Sequence, residues 1–294
     1  MLEWFKCPDN QIIPIKDCLA KCRMDERCLT LPTLTLMAQE REWKGQASTT
    51  QLLNGTMLEF LKLTQPYVVD PDKRAFALLG TRHHQNLAEI AKQLGLPAEI
   101  PLHVDRDIFD LLEPDETGFA LTDMKTWGSY KVAKALGIVE VGKKPHPTEI
   151  YKRSGSWGQA GTPKMITIFQ AMPQEADLFN EELQLNRYRI MLDELDIQIS
   201  RMQLQITVRD GGLDVASRRG ITRNIYRIPI RRLDDNYVGS YFNTKQEALK
   251  AALKDGKWNE PCNDRECWGG ARCRGYCEVF MFCPKGILAK QEDE

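Results

Sequence analysis

The chain has 294 residues, of which 42% are hydrophobic and 28% charged, and its net charge is −1. That length allows one large domain or two ordinary ones with a real buried core, and the composition is ordinary for a soluble globular protein. No apolar run reaches the roughly 18 residues of a membrane span, and the near-neutral charge argues against a protein that coats nucleic acid over a broad basic face, while leaving room for an enzyme with a local basic groove. The opening MLEWFKCPDN has no basic start followed by an apolar stretch, so no secretory signal is expected and the expected compartment is the cytoplasm, with no membrane partner.

Residues 1–45 form a cysteine-bearing N-terminal segment. Residues 46–255 alternate helical and strand patterns, as an α/β core does, and residues 256–294 form a short Cys- and Gly-rich segment ending in the charged KQEDE. Thr81 to Leu94 reads as a helix closed by Gly95 and Pro97. Leu102 to Leu111 reads as a strand, Pro114 to Gly118 as a turn, and Phe119 to Lys125 as a second strand, giving a hairpin. A helix is expected from Tyr130 to Leu136, capped by Ser129 and stopped by Gly137.

Leu178 to Leu195 is the longest helical stretch, with Phe179, Leu183, Tyr188, Met191 and Leu195 spaced for one buried side. Met202, Leu204, Ile206 and Val208 alternate with polar residues as in a strand. Asp210-Gly211-Gly212 marks a turn, and Ile228 and Ile230 lie in the return strand. Thr244 and Glu247 have capping-box spacing for a helix running to about Lys254.

The chemistry concentrates at the hairpin. Asp105 and Asp107 lie on its first strand, and Asp123 and Lys125 on its second. Residues two apart on a strand share a face, so Asp123 and Lys125 project together and can meet Asp105 or Asp107. Carboxylates hold a hard cation such as Mg²⁺ through oxygen. The cation polarises a phosphoryl oxygen and acidifies a bound water, and a neighbouring lysine can orient that water and offset developing charge. Acid and lysine residues at this spacing are also common on solvated sheet faces. His83 and His84 lie on the preceding helix, where a neutral imidazole suits an ion such as Mn²⁺. Gln184 and Tyr188, four apart, share one face of the long helix.

Taken in order, Gly80-x3-His84, Val104-Asp105-Arg106, Asp123-Met124-Lys125-Thr126 and Gln184-x3-Tyr188 resemble the RecB-like nucleases of the PD-(D/E)XK superfamily. The resemblance spans residues 80–188. It implies an α/β restriction-endonuclease-like core, a central mixed sheet flanked by helices. By position it makes His84, Asp105 and Asp123 ligands of a catalytic Mg²⁺ or Mn²⁺ and Lys125 the catalytic lysine, with Gln184 and Tyr188 supporting the site or touching DNA. His83 remains an alternative to His84, and Asp107 to Asp105. The implied activity is metal-dependent hydrolysis of DNA, single-stranded or with free ends, by an exonuclease or endonuclease working alone or beside a helicase, a CRISPR system or a phage recombination apparatus. A catalytically silent nucleic-acid or protein-binding module on the same fold is the alternative. A zinc adaptor using the middle only as scaffold is a third reading.

The nine cysteines fall in two windows, Cys7-x10-Cys18-x3-Cys22-x5-Cys28 and Cys262-x4-Cys267-x5-Cys273-x3-Cys277-x5-Cys283. In a reducing compartment such clusters point to metal rather than disulfides. Thiolates suit Zn²⁺ or an iron–sulfur cluster. The iron–sulfur-containing CRISPR-associated and AddB-like nucleases carry one cysteine before the core and three after it. The lone cysteine expected near Met57 is absent here, so the clasp is altered. Either each end holds a four-cysteine site with one C-terminal thiol spare, or a single cluster bridges the ends with the remaining thiols in a second site. Both make the cysteines structural fasteners of [4Fe–4S] or Zn²⁺ type.

For DNA, Lys152 and Arg153 flank a loop with the stacking residue Trp157, and Arg218, Arg219, Arg223, Arg231 and Arg232 are further candidates for phosphate contact. Trp127 either lines the site entrance or belongs to the core.

Overall fold

The computed structural model describes residues 1–40, 42–103, 106–156 and 158–292. The chain opens with strands β1 (Leu2–Lys6) and β2 (Ile12–Pro14), then helices α1 (Ile15–Ala20), α2 (Leu31–Met37), α3 (Thr49–Leu53) and α4 (Thr56–Thr64). Strand β3 (Tyr67–Val69) and the long helix α5 (Pro71–Gln93) lead to β4 (Ala98–His103), β5 (Arg106–Asp115) and β6 (Gly118–Trp127). After α6 (Ser129–Ala135) come β7 (Ile138–Ile150), β8 (Pro163–Ala171) and α7 (Phe179–Asp193). The remainder is β9 (Ile199–Val208), α8 (Asp214–Arg218), β10 (Ile225–Ile230), α9 (Asp235–Asp255), α10 (Ala271–Gly275) and α11 (Pro284–Gln291). None of the described helices is long and apolar enough to cross a membrane.

The fold is mixed α/β. Its main sheet has five strands in the order β10-β9-β6-β5-β4. Strands β4, β5 and β6 form an antiparallel meander, β9 lies parallel to β6, and β10 is antiparallel to β9. A parallel joint cannot be closed by a tight turn and needs a crossover. Here α6, the β7–β8 ribbon and α7 fill that crossover, which brings α7 onto the sheet beside β6 and β9.

The buried residues explain why. Leu121, Leu204 and Ile206 of the sheet pack with Leu185, Tyr188 and Leu192 of α7 in one core. A second core joins Phe5, Cys18 and Leu34 to Leu58 and Leu61 of α4, Phe242 and Leu249 of α9, and Val279 and Cys283 near the end of the chain.

Several expectations are corrected. The single strand over 102–111 is two strands: His103 pairs with Arg106, so the chain reverses between them. The helix before the hairpin begins ten residues earlier than Thr81, at Pro71, with the Asp70 side chain accepting from Asp72 N. The cap of α6 is Gly128, because the Ser129 hydroxyl is engaged by Asp210 instead. Helix α7 buries Leu183, Leu185, Tyr188, Arg189 and Leu192, which is more than one face, and Leu195 is exposed. Thr244 lies inside α9, whose cap is Asp234. The expected β5–β6 hairpin is present, with Asp115 opposite Gly118.

Candidate functional site

Asp123 and Lys125 stand two apart on β6, on the side covered by α7. The Asp123 carboxylate is 2% exposed. Gln184 of α7 donates to its Oδ1 at 3.2 Å, and Lys125 Nζ lies 2.6 Å from its Oδ2. That second contact is a buried ion pair, so each oxygen of the carboxylate faces a partner. Burial pushes the Asp123 carboxyl up to about 6; Lys125 opposes the shift and the negative charge of Asp110 adds to it. Burial pulls the Lys125 ammonium down, but Asp123 and Asp110 outweigh it and hold the group above its ordinary value.

Helix α5 supplies His84. Gly80, one turn earlier, sits close enough to β6 that a Cβ there would meet Thr126 Oγ1 at 3.4 Å. His84 Nδ1 is 3.2 Å from Glu99 Oε1 of β4 and 3.6 Å from Asp110 Oδ2 of β5. Asp110 and then Glu99 push the imidazole up to about 10, against the opposing effect of burial. The donor atoms of His84, Glu99 and Asp110 all lie within 4.8 Å of one another. Glu99 adopts a left-handed backbone, φ 52°, a conformation that costs energy for a residue with a side chain. Asp110 Oδ2 also accepts from Met124 N at 2.6 Å, which ties β5 to the strand carrying Asp123 and Lys125.

Glu99 and Asp110 escaped the sequence reading. Asp110 had a usable signal: counting outward from Asp115–Gly118 through Leu111–Thr122 brings Asp110 opposite Asp123. Glu99 had none, because the residues before Leu102 were assigned to no element and the strand that carries it, β4, was not expected.

Asp105, an expected ligand, lies outside the described residues. Its alternative Asp107 does not join His84. Its backbone is left-handed, φ 54°, and its Oδ1 accepts from Thr49 N at 2.5 Å. Asp107 therefore fastens the start of α3 to the sheet. Of the two histidines, His84 meets the acids, whereas the His83 Nε2 is buried without a hydrogen-bond partner. Tyr188 is 3% exposed. Burial, with Asp107 and Asp123 adding to it, keeps its hydroxyl protonated well above the ordinary tyrosine range.

A nitrogen and several carboxylate oxygens form a donor set suited to Mg²⁺ or Mn²⁺ rather than to a soft ion.

The expected DNA contacts are dispersed. Lys152 and Arg153 are exposed at the end of the β7–β8 ribbon, while Trp157 lies outside the described residues. Arg218 pairs with Asp214, Arg231 with Glu182 and Arg232 with Asp193. Arg219 donates to the Ser129 hydroxyl. These four are tied to the protein's own groups. Trp127 is a core residue, 7% exposed, with Lys131 Nζ 4.0 Å from its ring centre. All nine cysteines are free thiols.

No protein-family model and no curated protein matches the chain. Among solved structures it is similar to the crystal structure of SSO0001, at 14% sequence identity and a TM-score of 0.40, over 92% of this chain and 93% of that one.

Proposed function

We propose that the protein is a metal-dependent deoxyribonuclease on a PD-(D/E)XK core of the RecB-like branch, acting on single-stranded DNA or DNA ends. The observation that carries this reading is the buried Asp123–Lys125 pair on β6, beside the His84–Glu99–Asp110 donor set. The chain order α5-β4-β5-β6, then α6 and the β7–β8 ribbon, then α7-β9, with helices on a mixed sheet, supports it.

His84, Glu99, Asp110 and Asp123 would hold the divalent ion, which supplies Lewis-acid polarisation of the phosphoryl group and a more acidic water. The chain's own groups then divide the work. Asp123 must be ionised, and Gln184 fixes its orientation from α7. Lys125, held cationic by Asp123 and Asp110, orients the attacking water and offsets the negative charge that builds on the phosphorane oxygens. Lys152 and Arg153 on the ribbon supply sequence-independent phosphate contacts.

The test is cleavage of end-labelled single-stranded and duplex DNA with Mg²⁺, Mn²⁺ or EDTA, comparing the wild type with Lys125→Ala. Metal-dependent cutting lost in the variant is the expected result. Intact DNA with folded, metal-supplied wild type removes the enzyme reading. A second reading, a silent DNA-binding module, is favoured by one observation: Asp123 is almost inaccessible and already occupied by Lys125. It predicts retention of DNA without cleavage.

A further inference from the structure

Helix α5 lays one row of residues along β6. Phe76, Gly80 and His84 are four apart and share a face. His84 reaches Asp110, which is bonded to Met124 N. Gly80 lies against Thr126. The Phe76 ring meets Arg209, whose guanidinium carbon stands 4.2 Å from the ring centre, and Arg209 N donates to Trp127 O at 2.8 Å. The helix therefore follows β6 from the candidate metal site to the C-terminal end of the strand, and the eight residues from His84 back to Phe76 span about 12 Å.

That end carries a second pair of the same kind. The Arg219 guanidinium carbon stands 5.9 Å from the ring centre of Tyr130, and Arg219 donates to Ser129 Oγ at 2.8 Å. A Cβ at Gly128 would meet Arg209 Nη2 at 3.7 Å. Gly128 and Ser129 are consecutive, so the two guanidinium groups flank one short stretch of backbone just past β6.

The two rings are open. Phe76 is 60% exposed and Tyr130 71%. Trp127, between them, is by contrast a core ring covered by Lys131, and Lys131 is paired with Glu181. Asp210, the acid beside the arginines, places one oxygen on Ser129 N and the other on Ser129 Oγ, each at 2.6 Å, and it faces the charge of Arg219. Arg209 forms no ion pair among the described residues. Open rings beside an unmatched cation fit a polyanion whose bases are unstacked. Bases in a duplex are stacked on one another, whereas an unpaired base offers its face to an aromatic ring or a guanidinium plane. An apolar peptide side chain would cover the rings and leave the Arg209 charge desolvated without a partner; a phosphate answers that charge.

We infer that the Phe76–Arg209 and Tyr130–Arg219 pairs form a stacking platform for an unpaired DNA strand at the C-terminal end of β6. Its distance from His84 corresponds to roughly three or four nucleotides at about 3.4 Å each. Delivery of that strand to Asp123 and Lys125 rests on the nuclease reading, whereas the binding itself is measured without cleavage.

The experiment is fluorescence anisotropy of the full chain with a labelled oligothymidylate and with a blunt duplex, in EDTA so that no metal-dependent cutting occurs. Phe76→Ala and Tyr130→Ala should each weaken oligothymidylate binding by about fivefold or more, as loss of one stacked base does, and leave duplex binding unchanged. Phe76→Trp should keep the affinity. Arg209→Ala should weaken it and lower the slope of log affinity against log salt by about 0.7, one single-strand phosphate contact. Both rings are exposed, so the variants should fold, and circular dichroism checks this. Folded alanine variants that bind oligothymidylate as the wild type does, or that lose duplex affinity equally, overturn the platform, as does a wild type that prefers the blunt duplex. Ring-dependent binding without cutting in Mn²⁺ removes the nuclease and leaves the platform; cutting with ring-independent binding does the reverse.

Discussion

Gln184 of α7 donates to one oxygen of Asp123 while Lys125 of β6 lies against the other. One buried carboxylate is therefore held from a helix and from its own strand. Replacing Gln184 by Leu removes a partner of a buried charged group, a loss of about 1–3 kcal/mol. If that loss falls on the geometry of the transition state, kcat drops about 10- to 100-fold with little change in KM. Single-turnover cleavage by Gln184→Leu measures this, and an unchanged kcat would remove Gln184 from the site.

Asp110 and Asp107 give opposite expectations. Asp110→Asn takes a charge from the His84–Glu99–Asp110 set and should weaken Mn²⁺ binding by at least about tenfold, as loss of a ligand charge does in oxygen-donor sites. Asp107→Asn weakens the charge-assisted bond to Thr49 N, worth about 1.5–3 kcal/mol, so it should lower the melting temperature and leave Mn²⁺ affinity unchanged. Calorimetric titration and thermal unfolding of both variants separate the roles; the reverse pattern would restore Asp107 as the ligand.

The hairpin, the Asp123–Lys125 pair and the helix carrying Gln184 and Tyr188 were legible because the Pro114–Gly118 turn, the two-residue strand period and i,i+4 spacing report local geometry directly. The antiparallel pairing of His103 with Arg106 was not, since no Gly or Pro separates them. With that pairing unseen, β4 and Glu99 went unassigned and Asp110 was passed over for acids nearer the expected strand start. Thr244 and Glu247 have the right spacing for a cap, but two acidic residues ten positions earlier, Asp234 and Asp235, start α9. A two-residue pattern on an exposed helix face carries little information beside tertiary packing. The β7–β8 ribbon escaped because its partly solvated strands lack a clean alternation.

Metal binding should release protons. In the metal-free protein the His84 pKa is raised from 6.5 to about 10. Its contribution to stability is therefore complete below about pH 6.5 and lost as pH rises through about 10. Asp123 is raised from 3.8 to about 6, so it too favours the folded chain most below 3.8, and that advantage is gone above about 6. Ligation needs neutral His84 and ionised Asp123. Mn²⁺ titrations near pH 7.5, in buffers of different ionisation enthalpy, should show about one proton released per ion. Below about pH 6 a second proton should appear and affinity should fall more steeply. No proton release at pH 7.5 would exclude His84 as a ligand.

Lys152 and Arg153 project from the ribbon without an acidic partner at hydrogen-bond distance among the described residues. Replacing both by Ala should weaken DNA binding equally for all sequences and reduce the slope of log affinity against log salt by about two, one per lost phosphate contact. Cleavage at saturating DNA should be unchanged. An unaltered slope would mean that the ribbon does not touch the backbone.

Phe5 and Cys18 share a core with Val279 and Cys283. A ribosome releases the first of these long before the last. At roughly 5–20 residues per second, the N-terminal apolar residues wait on the order of ten seconds or more for the partners that cover them. During synthesis the early half of that core is an open surface with its thiols exposed, and closure comes only with the final residues. Folding yield in the cell should therefore depend on what shields the first segment in that interval, and a chain stalled before its last forty or so residues should be a substrate for chaperones and proteases rather than a shortened enzyme.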